Sequence, residues 1–179
     1  MNSINMTTDH PLSENSVVVT HRQIELQSTY DSFTTKLEST IKFLDAEYAK
    51  DVLTDPGKVQ SYLKSLEGST GLILFNIQNH GALLNISGKP HKAKQYVIGN
   101  PLIAIQMTVH DIRASLYAPL RMIVYEDENK KAFVEYDLPS SLFGQFRNNE
   151  ILQVAIRLDE KLFHVVSMCD KIINQKLIA

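Results

Sequence analysis

The sequence has very few of the features that mark secreted or membrane proteins. Its single cysteine, Cys169, cannot form an internal disulfide, which favours a reducing compartment. It has no uninterrupted run of about 20 apolar residues, the length that a bilayer-spanning helix needs. The first residues, MNSINMTTDHPLSENS, lack the apolar segment of a secretory signal. We therefore expect a soluble, cytoplasmic protein with no membrane partner.

The sequence also lacks an excess of positive charge. Its 18 Lys and Arg residues are balanced by 20 Asp and Glu residues, for a formal net charge of −2. Nucleic-acid binding depends on clustered Lys and Arg side chains at the phosphates, so nucleic acid is not an expected partner. The 44% of apolar and 21% of charged residues are typical of a globular chain, and 179 residues suit a single domain.

Several catalytic and cofactor motifs are missing as well. The sequence has no HExxH and no paired-cysteine spacing, no Gly-rich phosphate loop, and no G-x-S-x-G around Ser140 and Ser141. The pattern therefore assigns no metal and identifies no cofactor. Nucleophilic catalysis by the Ser140–Ser141 pair is not expected.

Apolar periodicity predicts a mixture of helices and strands. The predicted strands cover 17–19, 24–26, 71–77, 83–86, 96–98, 120–125 and 132–136, and the predicted helices cover 30–48, 56–66, 101–116 and 149–176. A polar turn, EDENKK, joins the strands of the clearest hairpin, and LFGQF predicts a short helical piece. We expect a flexible tail at 1–15 and one α+β domain at 16–179, with two layers and helices on one face of a mostly antiparallel sheet.

The segment YVIGNPLIAI has a turn between two apolar runs, at Gly99, Asn100 and Pro101. Asn is a good N-cap and Pro suits the first helical position, so a helix is predicted to begin here. Free N–H groups at such a start can bind an anion, but Pro101 removes one donor and a capped helix needs no ligand, so simple capping is preferred. The predicted helix has two apolar sides, which suggests that it lies between the sheet and another helix, or between subunits. Those sides are Leu102, Ile105, Val109, Ile112 and Leu116, and Ile103, Met107 and Ala114.

Three polar residues interrupt apolar segments and are candidates for chemistry. His80 lies in a polar turn, and His110 precedes Asp111 on the helix from Pro101, where a partly buried, hydrogen-bonded histidine is the simpler interpretation. Glu135 falls within a strand, where it either faces solvent on an open sheet face or pairs with a residue such as Arg121. Alternation favours exposure. A buried Glu135 would instead form a polar lining with Arg121 and nearby tyrosines.

The stretches KAKQYVIGNPLIA, LYAPLRMIVYEDE and VEYDLPSSLFGQF, together with FNIQNHGALL, resemble domain-of-unknown-function family 302. The GNP turn, the PLR strand and the YED hairpin occur in the family's order and spacing, and the resemblance covers roughly residues 16–175. Asn79 stands where the family has an acidic residue before the histidine at His80. The resemblance implies a compact α+β domain that is often a homodimer, and it implies no particular reaction.

Together these patterns predict a homodimer that binds or senses a small molecule in a cleft near the GNP turn and the hairpin. The predicted ligand-binding residues are His80, Asn100, His110, Arg121 and Glu135. In this hypothesis Arg121 holds an acidic group of the ligand, Asn100 assists, and His80 adjusts the site with pH. One alternative is a metal-dependent or general-base hydrolase that uses His80, His110 and Glu135. Another is a structural or protein-interaction module that uses the apolar helix faces.

Overall fold

The computed structural model of the chain describes residues 12–170. Its strands are β1 (His21–Glu25), β2 (Ile73–Gln78), β3 (Ala93–Gly99), β4 (Leu120–Glu126) and β5 (Ala132–Asp137). Its helices are α1 (Tyr30–Thr40), α2 (Pro56–Leu66), α3 (His80–Leu83), α4 (Pro101–Thr108), α5 (Pro139–Phe143) and α6 (Asn149–Asp170). Short 3₁₀ turns cover Ala46–Asp51, Leu84–Ser87, Ile112–Tyr117 and Gly144–Phe146.

The five strands form one antiparallel sheet in the order β1-β5-β4-β3-β2. Strands β2 to β5 follow one another as a meander, and β1 adds to its far edge beside β5. Alternate strand residues pack with α1, α5 and α6 in the main core, which includes Tyr96, Met122 and Val134. The predicted α+β class, with a mostly antiparallel sheet and its main helices on one face, is therefore confirmed.

A smaller apolar cluster lies beneath α2, at the β2 edge. Leu74 joins the main core, whereas its neighbour Ile73 packs with Val59 and Leu63 of α2, because successive strand residues point to opposite faces. Asp55 caps α2 by accepting a hydrogen bond from the N–H of Lys58 at 2.9 Å, and Pro56 occupies the first turn. The predicted bounds of this helix, 56–66, are confirmed.

The predicted helix over 30–48 is too long. After Thr40 the chain becomes extended and joins the edge of β2: the N–H of Leu74 donates to the carbonyl of Lys42 at 3.0 Å, and the N–H of Leu44 donates to Leu74 at 2.8 Å. The apolar positions Ile41 and Leu44 are nevertheless buried, as their spacing predicted. Pairing with the sheet edge buries them equally well and also satisfies backbone groups.

Two predicted strands are wrong. Residues 17–19 form no strand, because β5, the partner of β1, ends at Asp137 and the chain then enters α5. Residues 83–86 form helical turns, because the Asn79 side chain accepts a hydrogen bond from the N–H of Ala82 at 2.9 Å and starts α3. The side chains of this segment stay exposed, up to 90% for Ile86.

The predicted helix over 101–116 is broken after Thr108. The Asp111 carboxylate accepts the N–H of Arg113 at 2.9 Å and starts the 3₁₀ turn. Of the two apolar sides, Met107 and Ala114 point into the core. On the other side Leu102 packs against the smaller cluster, and the rest is exposed. We use the name apolar face of α4 for these exposed side chains of α4 and of the turn after it: Ile105, Val109, Ile112 and Leu116, which are 53% to 79% exposed.

The remaining elements agree with the sequence patterns. The hairpin of β4 and β5 and the short helical piece around LFGQF are confirmed. The final helix begins at Asn149 as predicted, and its expected extension to residue 176 lies partly outside the described residues, as does most of the expected tail over 1–15. Within residues 12–170, no helix has both the length and the apolar character needed to cross a bilayer.

Candidate functional site

A cleft of about 200 Å³ opens beside the GNP turn, between α4, the start of β4 and the helical layer. Gly99 forms part of its wall: a Cβ added there would lie 3.4 Å from the Cβ of Pro119 and 3.7 Å from the Phe75 ring. The described lining side chains are predominantly apolar and come from six separate parts of the chain. They include Tyr48, Phe75, Pro101, Ile103, Ala104, Met107, Ala118, Pro119, Leu120, Phe143 and Leu158.

The polar lining of the cleft is sparse and uncharged. Thr108 and Ser115 contribute hydroxyl groups. The Ser115 hydroxyl donates to the carbonyl of Ile112 at 2.7 Å, which leaves its oxygen free to accept a hydrogen bond. Because none of the lining residues within the described part of the chain is charged, the cleft suits a neutral, largely apolar group.

Asn100 lies at the edge of this cleft, but its side chain is occupied by the fold. Its Oδ1 accepts the N–H of Leu102 at 2.8 Å, and its Nδ2 donates to Glu67 Oε1 at 2.8 Å and to the carbonyl of Gly71 at 3.0 Å. The residue is only 4% exposed. The capping interpretation of the GNP turn accounts for the whole amide group.

The structure does not bring the five predicted ligand-binding residues together. Only Asn100 lines the apolar cleft. His80 begins α3 and His110 follows the end of α4, both exposed. Arg121, on β4 opposite Val97, is exposed, and Glu135, on β5, lies opposite Ile123.

Strand alternation predicted that Glu135 lies on the open face of the sheet, and it does. Neighbouring side chains nevertheless cover most of its carboxylate. Its side chain is 20% exposed. Oε1 accepts hydrogen bonds at 2.5 Å from both Tyr125 and Gln23, and Oε2 lies 3.0 Å from Nε2 of His21. Arg121 is not one of the three partners of this carboxylate. Two of them, His21 and Gln23, belong to β1.

His21 lies between two carboxylates. Its Nδ1 is 2.9 Å from Asp137 Oδ1, and its Nε2 contacts Glu135. Hydrogen bonds to Asp137 and Glu135 raise the pKa of His21, since both favour the charged imidazolium. Partial burial alone would raise the pKa of Glu135, but the hydrogen bonds from Tyr125, Gln23 and His21 lower it below its ordinary value.

The His21 group was not identified from sequence. His21 and Glu135 are 114 positions apart, and only the pairing of β1 with β5 brings them together. Strand alternation around Ile24 gave a weak signal that His21 and Gln23 share a face. The wall of the apolar cleft was missed for the same reason, since Phe75, Met107 and Phe143 belong to distant segments.

Of the residues named for the hydrolase alternative, His80 begins α3, His110 follows the end of α4, and Glu135 lies on β5. Within residues 12–170, no three His, Cys, Asp or Glu side chains are arranged to hold a metal ion. Every buried side-chain nitrogen or oxygen in this part of the chain also has a hydrogen-bond partner.

Comparison with known proteins identifies the domain. A family model for the domain of unknown function DUF302 matches residues 48–169. The chain belongs to the DUF302 family. A search of the curated proteins finds no match to it.

A solved structure shares the DUF302 fold described above. It is the crystal structure of an uncharacterized conserved DUF302 protein from Bacillus stearothermophilus, with a TM-score of 0.60 and 14% sequence identity. The match covers 83% of this chain and 97% of the other. At this identity the likeness establishes the common fold alone.

Proposed function

We propose that this DUF302 domain binds a small, largely apolar molecule in the cleft beside the GNP turn. The observation that carries the proposal is the cleft itself, about 200 Å³ in volume and walled by apolar side chains. An apolar cavity of about 150 Å³ engineered into another protein binds benzene. A cleft of this size therefore suits a compound with one ring and a short substituent.

In this proposal the apolar walls supply the affinity for the ligand, and the hydroxyl groups of Thr108 and Ser115 set its orientation. Burying apolar ligand surface contributes roughly 25 cal/mol per Å², so one buried ring supports binding without any charged partner. Ser115 Oγ accepts a hydrogen bond from a ligand hydroxyl or amine, because its own proton is already donated to Ile112. This combination of an apolar wall and one or two polar contacts is typical of small-molecule sites.

Ligand-observed NMR with 3-phenylpropan-1-ol tests the proposal. We expect saturation transfer to the aromatic protons with wild-type protein, and loss of the signal in Ala104→Leu, which fills the cleft from α4. Ala82→Leu is the matched control, because it makes the same substitution at an exposed position of α3, outside the cleft. Absence of transfer with wild type, or equal transfer with Ala104→Leu, contradicts the proposal.

Self-association through the apolar face of α4 is the second part of the proposed function. Ile105, Val109, Ile112 and Leu116 expose four large apolar side chains within 12 residues. A second copy of the chain presents the same row, so a two-fold dimer covers both faces at once. Ile112→Asp with Leu116→Asp is expected to convert the dimer into a monomer in light scattering, and a wild-type monomer would contradict this part.

The helix α4 connects the two parts of the proposal. Ala104 and Met107 face the cleft, while Ile105 and Val109 belong to the apolar face on its outer side. A ligand that shifts α4 therefore changes dimer affinity, and by linkage dimerisation changes ligand affinity by the same factor. Such coupling makes the domain a sensor in the cytoplasm, where the single buried Cys169 is stable as a free thiol.

A further inference from the structure

A second hollow, of about 240 Å³, lies directly beside the apolar cleft. Ile103 and Leu158 belong to the walls of both, so the two hollows adjoin at these side chains. The second one differs sharply in chemistry. Arg157 and Lys161 of α6 line it together with Gln106 and Glu67.

The two cations in this hollow have only weak, neutral partners. Arg157 Nη2 donates to Gln106 Oε1 at 3.3 Å, and Lys161 Nζ donates to the carbonyl of Thr70 at 3.3 Å. Among the described residues, neither cation lies within ion-pair distance of a carboxylate. Both therefore retain N–H donors for a ligand.

Among the described residues that line the hollow, Glu67 is the one carboxylate, and it has a different partner. Its Oε1 accepts the Asn100 amide at 2.8 Å. With Glu67 charged, Arg157 and Lys161 still leave the hollow with one net positive charge. The two cations are four positions apart on α6, so they lie on the same side of the helix.

Lys161 lies close to the chain opposite it. A Cβ on residue 71 would lie 2.5 Å from Lys161 Nζ, so the ammonium group packs directly against Gly71. Gly71 also has a φ of +68°, which glycine adopts without strain. The neighbouring Thr70 carbonyl accepts the hydrogen bond of the lysine.

We propose that Arg157 and Lys161 bind the carboxylate of a ligand whose apolar part lies in the cleft. The ligand class is then a small aryl or alkyl carboxylic acid rather than a neutral compound. This inference rests on the proposed function, since it assigns the second half of the same molecule. A charge-assisted, bidentate contact with Arg157 is the strongest interaction available to such an acid.

Isothermal titration calorimetry with matched acids and alcohols tests the inference. The acids are phenylacetate, 3-phenylpropionate and 4-phenylbutyrate, each compared with the alcohol of equal chain length. We expect at least one acid to bind wild-type protein about tenfold more tightly than its alcohol, with the preference falling at higher salt. The double variant Arg157→Gln/Lys161→Gln is expected to bind both equally, with the alcohol affinity unchanged. Lys89→Gln, an exposed loop substitution outside both hollows, is expected to keep the preference.

Each result separates the two proposals. If acids and alcohols bind wild-type protein equally, the carboxylate subsite is wrong and the apolar cleft remains a binding site. A preference for acids that persists in the double variant, or that disappears in Lys89→Gln, also overturns the assignment to Arg157 and Lys161. If neither class binds, the proposed function itself fails, and this inference fails with it.

Discussion

Replacing Asn100 by alanine is expected to destabilise the domain strongly, although the substitution removes no apolar packing. Asn100 caps α4 and also ties this helix to the segment before β2 through two donated hydrogen bonds. At 4% exposure, water cannot easily replace the lost amide. The effect should therefore exceed that of an ordinary N-cap.

The magnitude follows from the three hydrogen bonds. Loss of an Asn cap costs about 1 kcal/mol. The bond to the Gly71 carbonyl adds roughly 1 kcal/mol, and the bond to the Glu67 carboxylate adds about 1 kcal/mol more after discounting for its partial exposure. We expect Asn100→Ala to lower the free energy of unfolding by about 3 kcal/mol, which corresponds to a Tm lower by roughly 6–12 °C.

Urea denaturation of Asn100→Ala, with two comparison variants, separates these contributions. Asn100→Ser retains a capping oxygen but loses the amide donors, so it should lose only about 2 kcal/mol. Asn79→Ala removes the exposed cap of α3, whose side chain accepts a single hydrogen bond from Ala82, and should cost about 0.5–1 kcal/mol. Both substitutions leave the apolar core untouched.

The comparison refutes the reasoning if Asn100→Ala costs no more than Asn79→Ala. That result would mean that the amide contacts with Glu67 and Gly71 contribute nothing to stability. The Asn100 amide would then be available to bind a ligand, as the sequence pattern predicted.

Three further predictions concern other parts of the domain. The pKa of His21 is raised above 6.5 by its contacts with Asp137 and Glu135. These contacts therefore contribute most to the stability of the fold below pH 6.5, and their contribution is lost as the pH rises through the pKa of His21 in the folded protein. The destabilisation caused by His21→Ala in urea should thus be up to about 1 kcal/mol at pH 5.5 and smaller at pH 8.5, and an equal loss at both would contradict this. Gly71→Ala should cost about 1 kcal/mol or more in the same assay, because the positive φ of this residue strains any side chain; an unchanged midpoint would refute it. Burial raises the pKa of the Cys169 thiol, so a disulfide reagent such as DTNB should label it slowly in folded protein and fully in urea, and rapid labelling of folded protein would contradict its placement.

Local signals in the sequence predicted the elements whose ends are set by neighbouring residues. The bounds of α2 follow from Asp55 and Pro56, and the β4–β5 hairpin follows from its polar turn. The start of α4 at Pro101 was predicted from the Asn100 cap in the same way. Such signals act over a few residues, so the tertiary structure rarely overrides them.

The sequence predictions were wrong where two local conformations suit the residues equally well and tertiary contacts decide between them. An apolar residue such as Ile41 is buried equally well in a helix or in an extended segment, and the free edge of β2 favoured the latter. The two apolar sides of the 101–116 segment were both visible, but periodicity cannot say that Met107 faces inward and Ile112 outward.

The candidate sites depended even more on the fold. The residues around the cleft and around His21 come from distant segments, so no spacing in the sequence relates them. Asn100 was identified because its signal is local, and the structure shows it to be a helix cap.

The most direct test of the account is a methyl NMR titration of protein labelled with ¹³C at its methionine methyl groups. The sequence has five methionines, and Met107 is the one within residues 12–170 that lines the apolar cleft. With 3-phenylpropan-1-ol as ligand, we predict a saturable shift of the Met107 methyl resonance, while Met168, near the end of α6 and outside the cleft lining, keeps its resonance. If the Met107 resonance does not move, or if all methionine resonances shift together without saturation, the cleft is not the binding site and the central claim is wrong.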